Sequence, residues 1–227
     1  MPMLLAEDLI LLLLDDETGK LDTTHLDPAL GGSILIELAA ADLLEVVRQG
    51  RWSQAKVRVL TDGRPPTDPL LVESLQLIRE KERTAQDLVG RLAKGLKDTL
   101  LARLGERGIV RHEEGRVLGI FPTNRWPAID SSHENDVRRQ LEAALLHGVT
   151  ADQRTAALVS LLHATGRAHK VLTDNHGLPD RQVKARAKEI AEGDWAAKAV
   201  KDAIAAANAA MMATITATTA AATSAST

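Results

Sequence analysis

Gly31-Gly32-Ser33-Ile34-Leu35-Ile36-Glu37-Leu38-Ala39-Ala40-Ala41-Asp42-Leu43-Leu44 is the stretch on which the fold turns. Ser33 reads as an N-cap, because a short hydroxyl side chain can satisfy the free amides at a helix start. The residues after it are apolar on every side of a helical period, which predicts a helix buried in the core. Glu37 carries a charge into that run. No group with acid–base chemistry stands near it in sequence, so it reads as a structural carboxylate bonded to nearby backbone rather than a catalytic one.

Working outward toward the N-terminus, Leu4 to Leu14 predicts a short buried helix with Glu7 and Asp8 in its first turn, stopped by the acidic turn from Asp15 to Lys20 and followed by loop through Pro28. On the C-terminal side, alternation around Lys56-Val57-Arg58-Val59, with Gly50 and Trp52 at the turn, predicts a small β-hairpin between Val46 and Leu60. Asp68-Pro69 starts a helical region that runs to about Leu104. A second strand pair is predicted from Gly108 to His112 and from Arg116 to Phe121, turned at Glu113-Glu114-Gly115 and ended by Pro122 and Pro127. Helix returns from Ser132, with breaks near Gly148, near Gly166 and at Asn175 to Pro179. The expected fold is mainly α: a single globular helical domain over 1–204 with small β-hairpins, one of them projecting and apolar, then an Ala/Thr/Ser-rich helix end and disordered tail over 205–227.

The 227 residues are 44% hydrophobic and 26% charged, a globular composition with enough apolar surface for one core. The chain has no cysteine, which excludes disulfides, thiolate metal sites and a cysteine nucleophile, and fits a reducing compartment. Its longest apolar run, Leu9 to Leu14, is too short to span a bilayer, and no secretory signal pattern precedes it. A cytoplasmic location is expected. A net charge of −3 speaks against a nucleic-acid partner. The Gly-rich phosphate loop, Gly-x-Gly-x-x-Gly, Gly-x-Ser-x-Gly and His-Glu-x-x-His motifs are all missing, and the seven histidines lack metal-ligand spacing. The chain reads as a non-enzyme without cofactor or metal.

Two features carry the functional reading. The chain has one Phe, three Trp and no Tyr, and Phe121 and Trp126 flank Pro122-Thr123-Asn124-Arg125 beside the second strand pair. Aromatic rings next to a cation suit the headgroup boundary of a membrane, although the same rings could fold inward and cap the core. Leu88, Leu92, Leu96, Leu100 and Leu104 form an apolar stripe at four-residue spacing, with Arg91, Lys94 and Lys97 on the opposite face. That basic face is either a solvated surface or an anion-binding patch.

The order of segments resembles the Golgi phosphoprotein 3 family. The residues that carry the likeness are Leu4 to Leu12, Leu30 to Leu38, Pro69 to Leu75, Leu104 to Val110, and Val117 to Pro127 followed by helices, in the manner of the shorter bacterial members. The resemblance implies a helical domain that binds phosphatidylinositol 4-phosphate in a basic pocket, inserts an apolar hairpin into the bilayer, and holds membrane-protein client tails. It assigns Lys94 and Lys97 to the positions of two pocket arginines, with Arg91 beside them. Leu118, Ile120, Phe121, Arg125 and Trp126 fall on the inserting hairpin. Gly31 stands where the family has a further pocket arginine, and the loop Leu21 to His25 lacks the pocket tryptophan.

The expected function is therefore a peripheral membrane adaptor on the cytoplasmic face of a membrane, with anionic phospholipid as its partner. Client tails and a second copy of the chain are further partners that this reading admits. The competing reading is a cytosolic protein-interaction domain whose aromatic hairpin holds a protein partner.

Overall fold

The computed structural model describes residues 2–15, 18–48, 54–117, 121–172, 177–193 and 198–224. The long apolar run is the middle of the fold, as its composition requires, but its helix begins earlier than the serine suggests. Helix α2 spans Leu26–Ala40, with His25 at the N-cap in a left-handed conformation (φ 60°). Pro28 lies in its first turn, where a missing amide costs nothing. Ser33 is therefore no cap: it sits fully buried mid-helix, and its hydroxyl donates to the Leu30 carbonyl at 2.7 Å.

Gly31 and Gly32, which look like a helix break, are contact points instead. A Cβ at Gly31 would run into the backbone carbonyl of Val89, and one at Gly32 would stand 3.1 Å from Met211 Sδ. Two glycines cost a helix about 1 kcal/mol each. Here they let two neighbouring helices approach the α2 backbone, and the packing outweighs the propensity.

Those neighbours and the rest follow in chain order. Helix α1 spans Leu5–Leu13 and is buried along its whole length. Strands β1 (Leu44–Val47) and β2 (Lys56–Val59) pair antiparallel, Leu44 opposite Val59; the expected turn residues Gly50 and Trp52 lie outside the described residues. Helix α3 (Pro69–Glu80) begins where the Asp-Pro pair predicts, with the Asp68 side chain accepting from the Leu70 amide at 3.0 Å.

The leucine stripe from Leu88 to Leu104 is buried throughout, but it does not lie on one helix. Helix α4 (Ala85–Leu92) and helix α5 (Leu96–Glu106) are separated by a turn at Gly95, whose φ of 73° is left-handed. Four-residue spacing continues through the break, so periodicity alone does not reveal it.

The second hairpin pairs β3 (Glu113–Val117) with β4 (Phe121–Arg125), Val117 opposite Phe121 and Glu113 opposite Arg125. The expected Glu113-Glu114-Gly115 turn is thus part of a strand, and Pro122 lies inside β4, opposite Arg116. Pro122 therefore does not end the pair as expected, whereas β4 does stop at Arg125, two residues before Pro127, whose carbonyl accepts from Arg111 N at 3.0 Å.

Helices α6 (Ser132–Leu145), α7 (Gln153–Ala164), α8 (Asp180–Glu192) and α9 (Lys198–Ser224) complete the domain. Helix α9 packs across α2, α4, α7 and β1, and it places Ala203, Ile204, Ala207, Ala210 and Met211 in the core. Core packing therefore continues past residue 204. Among the described residues no helix is long and apolar enough to cross a membrane.

Candidate functional site

The turn at Gly95 decides where the cations go. By interrupting the helix between α4 and α5 it sets Lys94 and Lys97 on one cleft of about 630 Å³, whose other walls are the start of α2 and the α9 residues Thr214 and Ile215. His25, Asp27 and Pro28 form the α2 wall. The cleft is mixed in charge: Asp27 and Asp98 line it too, and Lys97 Nζ lies 3.5 Å from Asp98 Oδ1. Phosphate oxygens would find two ammonium donors there, and hydroxyl groups would find two carboxylate acceptors.

Arg91 does not join them. It lines a separate cleft of about 580 Å³ between α3 and α5, and its Nε is 3.0 Å from the Asp87 carboxylate one turn back. Lys94 stands on the ridge between the two clefts and lines both.

Gly31 is buried against the Val89 carbonyl, so this position has no room for an arginine. The close α2–α4 packing therefore demands glycine at this position. A family model for Golgi phosphoprotein 3 (GPP34) matches residues 5–207, nearly the whole folded body. The chain belongs to that family. No curated protein matches it.

In this member of the Golgi phosphoprotein 3 family the β3–β4 hairpin pairs residues 113–117 with 121–125. Leu118 and Ile120, expected on it, lie outside the described residues, as does the Phe121 side chain. The Phe121 backbone ends the ladder next to the connection, opposite Val117. Arg125, half-buried, is at the other end opposite Glu113.

Trp126 follows Arg125, and its position corrects the pairing of the two aromatics at one loop tip. At strand rise it is about 17 Å from Phe121 along the chain. Its ring is half-buried against the core and stacks on His112, centroids 4.3 Å apart and planes 24° from parallel. Its amide donates to the Gly19 carbonyl at 2.7 Å. Trp126 therefore brackets the base of the hairpin to the body.

The structure also assembles a charge cluster that the sequence reading missed. Glu7 and Asp8 are fully buried on α1. Glu7 accepts from Arg103 Nε at 3.0 Å, while Arg103 grips Asp68 with both terminal nitrogens at 2.8 and 2.6 Å. Asp8 accepts from Arg154 Nη2 at 2.6 Å and lies 2.7 Å from His133 Nε2. Arg154 also donates to the Met3 carbonyl at 2.7 Å and reaches Glu37 at 3.4 Å.

Glu37 in turn accepts the Leu5 amide at the start of α1, the backbone-bonded role its sequence position suggests. Burial pushes its carboxyl up, against the pull of Leu5 and Arg154. The Arg103 hydrogen bonds hold the Asp68 carboxyl below its ordinary value despite partial burial. These pairs join residues 96 and 146 positions apart. Two acidic residues in an otherwise apolar first turn are the sequence signal of this cluster. Among the described residues no group of three or more His, Asp or Glu is placed to hold a metal ion.

Proposed function

We propose that the chain docks reversibly on an anionic membrane surface, with the Lys94–Lys97 cleft taking a phosphorylated polyol headgroup of the phosphatidylinositol 4-phosphate kind and the β3–β4 hairpin entering the headgroup layer. The observation that carries this reading is the convergence of Lys94 and Lys97, from opposite sides of the Gly95 turn, on one cleft with two carboxylates. Ammonium groups pair with phosphate, and Asp27 and Asp98 accept from ring hydroxyls, so the mixed lining favours a polyol phosphate over a bare anionic surface. Lysine is a point charge without the arginine fork, which makes the recognition weaker in geometry than a guanidinium pocket. Family membership is consistent with action at a membrane. In this reading the chain is an adaptor on the cytoplasmic face that holds a membrane-protein tail, and it has no catalytic role.

Flotation with phosphatidylcholine vesicles, with and without phosphatidylinositol 4-phosphate or phosphatidylserine, tests the proposal. Each basic residue near such a surface contributes about 1 kcal/mol, so Lys94→Ala with Lys97→Ala is expected to reduce binding by on the order of tenfold or more. Equal flotation of the double variant and the wild type would discard the cleft. Failure of the wild type to float on every composition would favour the hairpin as a protein-docking element.

A further inference from the structure

The cleft that holds Lys94 and Lys97 does not end at its own walls. A second groove, of about 840 Å³, runs beside it between α9 and the C-terminal ends of α7 and α8. The two share His25 and Ile215 as a common rim. They differ in chemistry. The first is ringed by lysines and carboxylates, whereas the second is mainly apolar.

The α9 wall explains the difference. Ile204, Asn208, Met212 and Ile215 recur at helical spacing on one face, with Ala205 and Ala209 beside them. Asn208 is the polar exception, and its amide already donates to Ser160 Oγ at 2.9 Å. Met212 is 49% exposed, so the wall is open to an occupant. From Ile204 to Ile215 the face extends about 16 Å, enough for an extended chain of about a dozen methylenes. Glu192 and Lys201 also line the groove, with Lys201 on α9 one turn before Ile204, at the end away from the Lys94–Lys97 cleft.

We infer that this groove receives one acyl chain of the same lipid whose phosphorylated headgroup occupies the Lys94–Lys97 cleft. The inference rests on the headgroup reading proposed above and adds a chain site to it. The continuity at His25 and Ile215 argues for a single amphiphile: the polar end and the apolar trough meet at one rim, in the order that a headgroup and its chain require. An alkyl chain suits the trough better than a peptide, whose backbone amides would lie unpaired along alanine, isoleucine and methionine. Binding would draw the chain out of the bilayer, so the protein would recognise a monomeric lipid as well as a surface.

The test is calorimetric, on the full chain, with three probes: inositol 1,4-bisphosphate as the free headgroup, lysophosphatidylinositol 4-phosphate below its micelle concentration, and inorganic phosphate. The single-chain lipid is expected to bind at least about tenfold more tightly than the free headgroup, the gain from burying as few as two methylenes. Met212→Glu, which puts a charge on an exposed groove position, is expected to remove that gain and leave headgroup affinity unchanged. Ala209→Leu, which narrows the groove with an apolar group, is the second variant and should act in the same direction if the first fails to fold.

Equal affinity for headgroup and single-chain lipid would overturn the chain site while leaving the headgroup reading intact, provided Lys94→Ala with Lys97→Ala still abolishes both. A gain that neither groove variant alters would also overturn it. Tight binding of the single-chain lipid that ignores both lysines would reject one continuous lipid site and the headgroup reading together. No binding of any probe by the wild type would do the same.

Discussion

At Gly31 the absent side chain matters because the neighbour is backbone. A Cβ there meets the Val89 carbonyl of α4, which cannot rotate away, whereas one at Gly32 meets the flexible thioether of Met211. Gly31→Ala is expected to lower stability by at least about 2 kcal/mol and Gly32→Ala by much less, as read from urea denaturation midpoints. Glu37 is decided by its hydrogen bond to the Leu5 amide together with its raised carboxyl. Glu37→Gln keeps the acceptor and removes the charge, so it is expected to change stability by less than about 1 kcal/mol. Glu37→Ala leaves a buried amide unpaired and should cost about 1–3 kcal/mol. Neither should selectively abolish vesicle binding.

Asp68 gives the pH dependence. Its folded-state carboxyl is held below the ordinary value of 3.8, so in the acid window between that value and its folded one the unfolded chain binds more protons. The stabilisation is fully present above about pH 4 and falls away as the pH drops through that window. Asp68→Asn, which retains the cap of α3, should start less stable at neutral pH and lose less on acidification; parallel acid-unfolding curves would contradict this.

At the scale of elements, the two ends of the hairpin ladder differ in their surroundings. Trp126 stacks on His112 and packs on the core at the base, while Phe121 borders the connection at the other end of the ladder. Trp126→Ala is therefore expected to lower the melting temperature by several degrees, as loss of a half-buried ring should. Phe121→Ala should leave melting nearly unchanged and weaken vesicle binding at every salt concentration, because apolar insertion is not screened. A sharp fall in melting temperature for Phe121→Ala with wild-type flotation would make that ring a core residue.

Helix α9 divides in a similar way. Its buried residues run to Met211, so removing the residues after Thr216 should keep the melting temperature within a few degrees, whereas ending the chain at Ala206 removes Ala207, Ala210 and Met211 from the core and should prevent folding. Circular dichroism melting of the two truncations checks both.

For the molecule as a whole, docking in this reading combines weak parts. Two lysines, partly offset by Asp27 and Asp98, would add at most about 2 kcal/mol, and one aromatic ring at the tip about 1.5–3 kcal/mol. Single-copy binding should therefore be reversible, with only a shallow loss between 0.05 and about 0.2 M salt, where the screening length is near 10 Å. Fusing two copies by a flexible linker should raise vesicle affinity at least about a hundredfold, since the second contact becomes intramolecular. Titration of vesicle retention for monomer and fusion measures that gain.

The sequence by itself determined the helical class, the buried course of α1 and α2, the Asp68–Pro69 helix start, the first hairpin and the family, because each is written in local pattern: period, cap, turn chemistry and segment order. It also marked Lys94 and Lys97 as cations opposite a buried leucine stripe. Only the tertiary structure decided that Gly31-Gly32 is a packing surface, that the leucine stripe is interrupted at Gly95, that Glu113 to Val117 form a strand, and that Trp126 braces the hairpin base. It alone joined Glu7 to Arg103 and Asp8 to Arg154, and set a cleft of mixed charge against an apolar groove. The physical reason is common to all of these: a helical period or a turn signal acts over a few residues, whereas close backbone approach, strand register and buried charge pairing depend on which distant segments meet.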